Sequence, residues 1–268
     1  MQTGIYTTLL APNASLMSGP GTNTLILGRA DEDGALVIDP ADASPVHLDA
    51  IVREGERRGR IRQILVTHGH PDHTGGVVEL RARLDGVPVY AFSQRATPML
   101  DHEAPDGTTW HVGGDTLRAI HTPGHSFDHL CFLLEGAQIL FAGDHISGIT
   151  TNVIGDMLDY LNALKRLQSL AITEIVPAHG PPVADPQAKI AEYIAHRLLR
   201  EQQILSVLRQ LGPGTTIPQM VAQIYQDVDP KLHPVAAHSV EAHLVKLEKE
   251  RVVERQEDGW KVFLHDDW

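Results

Sequence analysis

Apolar and polar residues follow two different rhythms along the first two thirds of the chain. Short apolar runs predict strands over residues 22–27, 35–38 and 64–67. Apolar residues with a helical period predict helices over residues 48–58 and 77–84. A second series predicts strands over residues 87–92, 116–121, 129–134, 138–142 and 174–177, with a helix over residues 157–170. This alternation predicts the α/β class, with two sheets flanked by helices.

The pattern changes after a proline-rich stretch that ends at Pro186. A long amphipathic helix is predicted over residues 190–208, followed by helices over residues 217–225 and 238–250. Strands over residues 251–254 and 260–264 flank Glu257-Asp258-Gly259, a sequence typical of a hairpin turn. Three helices and a hairpin predict a winged-helix-like domain, so we expect two domains, residues 1–185 and 186–268.

The composition bears on the size of the core, the cellular location and the expected partners. The chain has 268 residues, enough to bury a large core without disulfides, and Cys131 is its only cysteine. A single cysteine and a start that lacks a basic, apolar leader favour a reducing, cytoplasmic location. No run reaches the roughly 18 apolar residues that a membrane helix needs, so we expect no membrane partner. A homodimer is compatible with the sequence, which does not fix the oligomeric state.

The acidic balance bears on the partners of the chain. A net charge of −12 at pH 7 repels a polyanion at long range, which disfavours RNA as a partner. From Gln187 onward, ten basic and twelve acidic residues give a net charge of −2, unlike the basic surface of a typical nucleic-acid-binding module. We therefore expect the C-terminal domain to serve in packing or dimerisation.

The positions of the histidines indicate a metal-binding site. The sequence Thr67-His68-Gly69-His70-Pro71-Asp72-His73 places four metal-binding side chains directly after an apolar strand. Imidazoles two residues apart in extended chain point the same way, and the turn after Pro71 can swing Asp72 and His73 toward a second point. Further ligand types each follow another apolar strand: His125, Asp144 and His179. Together the seven residues predict a two-metal site in which the carboxylate of Asp144 is shared.

These motifs resemble a known family. Thr-His-Gly-His-Pro-Asp-His, Thr-Pro-Gly-His-Ser, Ala-Gly-Asp and Pro-Ala-His-Gly are similar to the successive motifs of the metallo-β-lactamase superfamily, in its glyoxalase II-like branch. Pro20-Gly21-Thr22-Asn23-Thr24, His196-Arg197, Arg200-Glu201 and the winged-helix-like tail are closest to the β-lactamase-like protein 2 subgroup. Members of that subgroup include endoribonucleases and acyl-carrier-protein thioesterases.

The resemblance implies a fold and a distribution of ligands. It implies an αβ/βα sandwich in the first domain, with His68, His70 and His125 on one metal ion. Asp72, His73 and His179 would bind the second ion, and Asp144 would bridge the two. Two Zn²⁺ ions per chain suit this set of nitrogen ligands and few carboxylates, although Fe or Mn can be held by the same set. Zinc β-lactamases of the best-known class carry a cysteine where this chain has Asp144, which argues against β-lactam hydrolysis as its physiological role.

The site predicts hydrolysis by a hydroxide that bridges two metal ions. Asp72 is the predicted catalytic residue, since it would orient the hydroxide and accept its proton. A thioester or related acyl ester is the expected substrate, because a thiolate leaves without a proton donor. No residue is assigned to substrate binding.

Several alternatives stay open. A ribose alkoxide would need a proton donor, for which the candidates are His121, His129, His145, His233, His238 and His243. The leading alternative is a metal-dependent phosphodiesterase or endoribonuclease acting on single-stranded RNA. A mononuclear iron dioxygenase and a regulatory protein with a purely structural metal are the others.

Overall fold

The first sheet has six strands in chain order. The computed structural model describes residues 4–15, 18–30, 34–95, 97, 99–149 and 153–263. The strands are β1 Tyr6–Leu10, β2 Asn23–Leu27, β3 Ala35–Ile38, β4 Ile61–Leu65, β5 Val89–Ala91 and β6 His102–Glu103. Strands β1 to β3 pair antiparallel and β3 to β6 pair parallel. Helix α1 Pro45–Arg57 joins β3 to β4, and helices α2 Pro71–Thr74 and α3 Val77–Arg83 lie between β4 and β5.

The second sheet has five strands in the order β11-β10-β9-β8-β7. Their bounds are β7 Thr109–Val112, β8 Asp115–His121, β9 Leu130–Leu134, β10 Ile139–Gly143 and β11 Glu174–Pro177. All neighbours pair antiparallel except β10 and β11, which are parallel. Antiparallel pairing follows from the short connections, whereas the parallel pair requires the long crossover between residues 143 and 174.

Side-chain alternation along the strands builds two cores. In β2, Leu25 and Leu27 join the cluster that contains Phe132 and Phe141 of the second sheet. The intervening Ile26 packs with α1 on the opposite face. Because successive side chains point to opposite faces, one fully buried strand serves both the interface between the sheets and the helix layer. The α/β sandwich predicted from the sequence is confirmed.

The chain divides into two units, residues up to 152 with 170–187, and residues 153–169 with 188 onward. The second unit contains α4 Met157–Gln168, most of α5 Pro186–Leu211, α6 Ile217–Ile224, a 3-10 turn Pro230–Leu232, α7 His233–Lys249, β12 Val253–Gln256 and β13 Gly259–Val262. Val240, Leu244 and Trp260 belong to its separate core. The winged-helix plan is therefore present, with α4 added from an earlier part of the chain. The sequence placed α4 in the first domain, and the domain limits of 1–185 and 186–268 stay a prediction.

Some elements differ from the sequence prediction. Strands β1, β6 and β7 were not predicted, because β1 is only partly buried, β6 has two exposed residues and β7 is half exposed. Helix α7 begins at His233, five residues early, with Pro234 in its first turn. Arg251 has φ 59° and lies in the turn after α7, so β12 begins at Val253 rather than at residue 251. Gly259 pairs with Gln256, which limits the hairpin turn to Glu257-Asp258, and Leu264 lies outside the described residues.

No helix within the described ranges combines the length and the apolar character needed to cross a membrane.

His243 in α7 gives the second unit a pH-dependent stability. The side chain is fully buried, with Nδ1 3.8 Å from Oε2 of Glu201, which also accepts from Nζ of Lys246 at 2.8 Å. Burial lowers the pKa of His243 despite the nearby carboxylate. Because the folded pKa is lower than the unfolded one, the unfolded chain takes up more protons below about pH 6.5, and stability falls as the pH falls through that value.

Replacing His243 should therefore reduce acid destabilisation. Between about pH 7.5 and pH 5.5, the melting temperature of the His243→Gln variant should fall less than that of the wild type, as measured by circular dichroism. His238→Gln is the matched control, since His238 is exposed on the same helix. Equal slopes for the wild type and both variants would contradict the prediction.

Candidate metal centre

The segment after β4, a loop followed by the short helix α2, carries four of the predicted ligands. Strand β4 ends at Leu65, and α2 begins at Pro71, which suits the first helical turn because its fixed φ is helical and it has no N–H to satisfy. His68 and His70 precede α2 in this loop, whereas Asp72 and His73 lie within the helix. The strand end and the one-turn helix therefore direct the two pairs to neighbouring points.

His68, His70 and His125 form the first group of converging nitrogens. Nδ1 of His70 lies 2.8 Å from Nε2 of His68 and 3.0 Å from Nε2 of His125. One ligand atom from each residue lies within 4.8 Å of the others. His125 comes from the loop after β8, in the second sheet, so the group joins the two sheets.

Asp72, His73 and His179 form a second group. Oδ2 of Asp72 lies 3.9 Å from Nε2 of His73 and 3.6 Å from Nε2 of His179. His179 follows β11, and its Nδ1 lies 3.4 Å from the carbonyl oxygen of Gly21, to which it can donate. Nε2 of His73 and Nε2 of His179 are both buried and lack a hydrogen-bond partner.

Asp144 lies between the two groups. Its Oδ2 is 3.5 Å from Nε2 of His125, in the first group. Its Oδ1 is 3.4 Å from Nε2 of His73 and 3.1 Å from Nε2 of His179, in the second. All seven residues predicted as ligands are thus brought together at one edge of the sandwich, and their role as ligands stays a proposal.

Asp39 supports this arrangement and was missed by the sequence analysis. Its carboxylate accepts from the backbone N–H and the hydroxyl of Thr67, both at 2.7 Å, and Oδ2 lies 2.8 Å from Nδ1 of His73. Since Nδ1 of His73 faces Asp39, Nε2 faces the other ligands. Asp39 follows β3, the parallel neighbour of β4, and adopts φ 51°, a conformation that Asp tolerates better than most residues. A carboxylate at the end of an adjacent parallel strand was the signal that could have identified it.

A buried histidine holds the backbone at Asp144. Nε2 of His129 accepts from the N–H of Asp144 at 3.0 Å, so the proton of the neutral ring is on Nδ1, 2.8 Å from the Thr122 hydroxyl. Gly143 has φ 50°, and a Cβ there would lie 2.6 Å from Nε2 of His129. Only glycine allows the ring this close to the backbone that positions Asp144.

The charges of the second group compensate one another. Burial opposes ionisation of Asp144, yet His73 and His179 hold the pKa of its carboxyl well below the usual value. Burial likewise opposes protonation of His73, but Asp144 and Asp39 raise its pKa well above the usual value. In the first group burial dominates and lowers the pKa of both His68 and His70. Burial therefore favours the neutral form of His68 and His70, which is the form that metal coordination requires.

The donor atoms fit divalent metal ions. Imidazole nitrogens at 2.8 and 3.0 Å need a proton or a cation between them. Nε2 of His73 and of His179 faces the carboxylate of Asp144 but is buried without a hydrogen-bond partner, an arrangement that a cation would complete. Nitrogen ligands with two carboxylates and no thiolate suit Zn²⁺, Fe or Mn. His68, His70 and His125 would hold one ion and Asp72, His73 and His179 another, with Asp144 between them.

The other histidines considered as proton donors are placed differently. His129 and His145 are fully buried, and burial lowers the pKa of His145 to about 3, so neither suits proton donation to a substrate. His121 stacks on Phe92 with ring centroids 3.9 Å apart. His233, His238 and His243 belong to α7 in the second unit.

A two-sheet sandwich whose strand-end loops bring five histidines and two aspartates together defines the class of metal-dependent hydrolases. Residues 18–179 match the family Metallo-beta-lactamase superfamily, and residues 216–260 match the Beta-lactamase associated winged helix domain. The chain belongs to the metallo-β-lactamase superfamily, so the resemblance found in the sequence is confirmed.

The similarity to named relatives extends over most of the chain. A Beta-lactamase-like protein 2 homolog of Drosophila melanogaster is 34% identical over 260 residues, covering 90% of this chain and 87% of the relative. An Atrochrysone carboxyl ACP thioesterase of Aspergillus chevalieri is 36% identical over 221 residues, covering 80% of this chain and 71% of the relative. A beta-lactamase domain protein from Burkholderia ambifaria has the same fold, with a TM-score of 0.81 at 19% identity over 98% of this chain and 93% of that one.

Proposed function

We propose that this protein is a dinuclear metal-dependent hydrolase of acyl thioesters, with a carrier-bound acyl group as its substrate. The observation that carries the dinuclear assignment is the position of Asp144, whose two oxygens face the two ligand groups separately. The thioester assignment rests on the relatives named as acyl-carrier-protein thioesterases, such as that of Aspergillus chevalieri at 36% identity.

The protein's own residues account for the proton transfer. When bound, the metal ions would supply activation of water and polarisation of the carbonyl group. The side chain of Asp72 is 33% exposed, compared with 11% for Asp144, so Asp72 is the carboxylate that incoming water and substrate reach. The carboxylate of Asp72 would take the proton from the attacking water.

Thioester cleavage needs no further proton donor. Water adds to the carbonyl carbon, the carbon–sulfur bond breaks, and the electron pair leaves on sulfur. The leaving thiolate is stable because the pKa of a thiol is about 8.5. An RNA phosphodiester would instead release a more basic alkoxide, and the fully buried His129 and His145 are poorly placed to protonate it.

A direct comparison of substrates tests the proposal. Zinc-loaded protein is given acyl-pantetheine and acyl-coenzyme A thioesters, with release of thiol as the readout, and a short single-stranded RNA in parallel. We expect thioester turnover that is lost on chelation and restored by Zn²⁺, without RNA cleavage. Metal-dependent RNA cleavage without thioester turnover would instead make the protein an endoribonuclease. Metal that binds and raises the melting temperature, with neither activity, would point to a regulatory protein.

Metal analysis of the same preparation tests the number of ions. The proposal predicts two ions per chain, with Fe or Mn able to replace zinc, whereas one Fe per chain would favour the dioxygenase alternative. A cytoplasmic location and a homodimer stay predictions.

A further inference from the structure

Phe127 is an exposed aromatic residue beside the metal centre. Its residue surface is 52% exposed, whereas Phe132 and Phe141 of the same unit are fully buried. It follows His125 by two residues, which places its Cα within about 8 Å of that ligand's Cα. An exposed large apolar side chain this close to a catalytic site is a candidate for contact with substrate.

The loop that carries Phe127 is held on both sides. The buried carboxylate of Asp128 accepts from the N–H of Gly69, between two predicted ligands, at 2.8 Å. The ring of His121 lies 2.8 Å from the carbonyl oxygen of Phe127 through Nε2. These two contacts tie the backbone around Phe127 to Gly69 and to His121.

Arg95 contacts the exposed ring of Phe127. Its guanidinium carbon lies 5.4 Å from the centre of the Phe127 ring, a distance typical of a cation–π contact. No carboxylate within the described ranges forms an ion pair with Arg95. Two carboxylates of the same region accept from the backbone, Glu103 from the N–H of Gln94 and Asp106 from the N–H of His121. In a chain of net charge −12, an exposed arginine without an acidic partner offers a binding point for an anion.

We propose that Arg95 and Phe127 form a substrate-binding pair that recognises an anionic oxygen group on the thioester. Arg95 binds a carboxylate or phosphate, and Phe127 packs against the apolar chain next to it. This inference rests on the proposed thioesterase function and specifies its substrate class as negatively charged thioesters. The anionic group can belong to the acyl part or to the phosphopantetheine arm, and the experiment distinguishes the two.

Binding of thioether analogues, which cannot be hydrolysed, tests the pair independently of catalysis. Four analogues are compared by isothermal titration: an acyl chain that ends in a carboxylate or in an amide, each on pantetheine with or without its phosphate. The wild type should bind one charged analogue more tightly than its neutral counterpart by about fivefold, the upper range for an exposed ion pair. The member of the set that shows the preference identifies the source of the anion.

Substitutions test which residues cause the preference for the charged analogue. Arg95→Gln should abolish it and Arg95→Lys should keep part of it, while Phe127→Ser should weaken the binding of charged and neutral analogues alike. Arg57→Gln is the matched control, because Arg57 is an exposed arginine that precedes β4, whereas the predicted ligands follow that strand. The control removes the same charge and should leave the preference unchanged.

The outcomes separate this inference from the proposed function. A charge preference that disappears in Arg95→Gln, in a protein that fails to hydrolyse the matching thioester, would support the binding pair and overturn the thioesterase assignment. Thioester turnover without any charge preference, or with a preference that survives Arg95→Gln, would overturn the pair. If the preference is lost equally in Arg57→Gln, it arises from long-range charge rather than from contact with Arg95, and the proposed binding pair is overturned as well.

Discussion

Replacing Asp144 by alanine is expected to remove thioester hydrolysis almost completely. Its carboxylate faces both ligand sets, at 3.5 Å from His125 and 3.1 Å from His179. Loss of an outer-shell partner costs roughly 10–100-fold in activity or metal affinity, and loss of a shared ligand should exceed that range. We expect a fall in kcat/KM of more than about a hundredfold, together with fewer bound ions. Metal content by mass spectrometry and thiol release measure the two effects.

Two controls make the Asp144 result interpretable. Asp49→Ala removes an exposed carboxylate of α1 that pairs with Arg83, and it should leave turnover and metal content unchanged. The melting temperature of metal-free Asp144→Ala shows whether the variant folds. A folded Asp144→Ala variant that keeps two ions and normal turnover would rule out the shared carboxylate.

Asp72→Asn should separate proton transfer from metal binding. The amide keeps the shape and one oxygen of the side chain but does not accept a proton at neutral pH. General base catalysis contributes about 10²–10⁴-fold, so kcat should fall by a factor in that range. Metal content should change much less than in Asp144→Ala.

Restoring the carboxylate provides the specific readout for Asp72. Asp72→Glu, which restores a carboxylate, should recover part of the activity. A kcat of Asp72→Asn close to that of the wild type would exclude Asp72 as the base.

The candidate ligands could be found from the sequence because each stands in a local pattern. Four of them share one strand-to-helix turn after β4, and His125, Asp144 and His179 each follow an apolar run. Such patterns need no knowledge of which strands are neighbours. The motif resemblance then predicted how they divide between two metal ions, and that division stays a prediction.

Asp39 could not be found in the same way. Its contacts with Thr67 and His73 span 28 and 34 residues and depend on the parallel pairing of β3 with β4. Helix α4 poses a similar problem, since an apolar face predicts burial without naming the partner. The structure groups this helix with residues 188 onward, although it precedes β11 of the first unit. Strand β6, with two exposed residues, leaves no hydrophobic pattern to detect.

If the seven candidate residues bind the ions as proposed, their division between the two sheets would link metal uptake to the order of folding. His68, His70, Asp72 and His73 follow a strand of the first sheet, whereas His125, Asp144 and His179 follow strands of the second. Neither sheet alone offers a complete set, so a nascent chain that has formed only the first would hold an ion weakly. Ions captured at this edge would act as a late cross-link between layers, secured only after residue 179 has joined the sandwich.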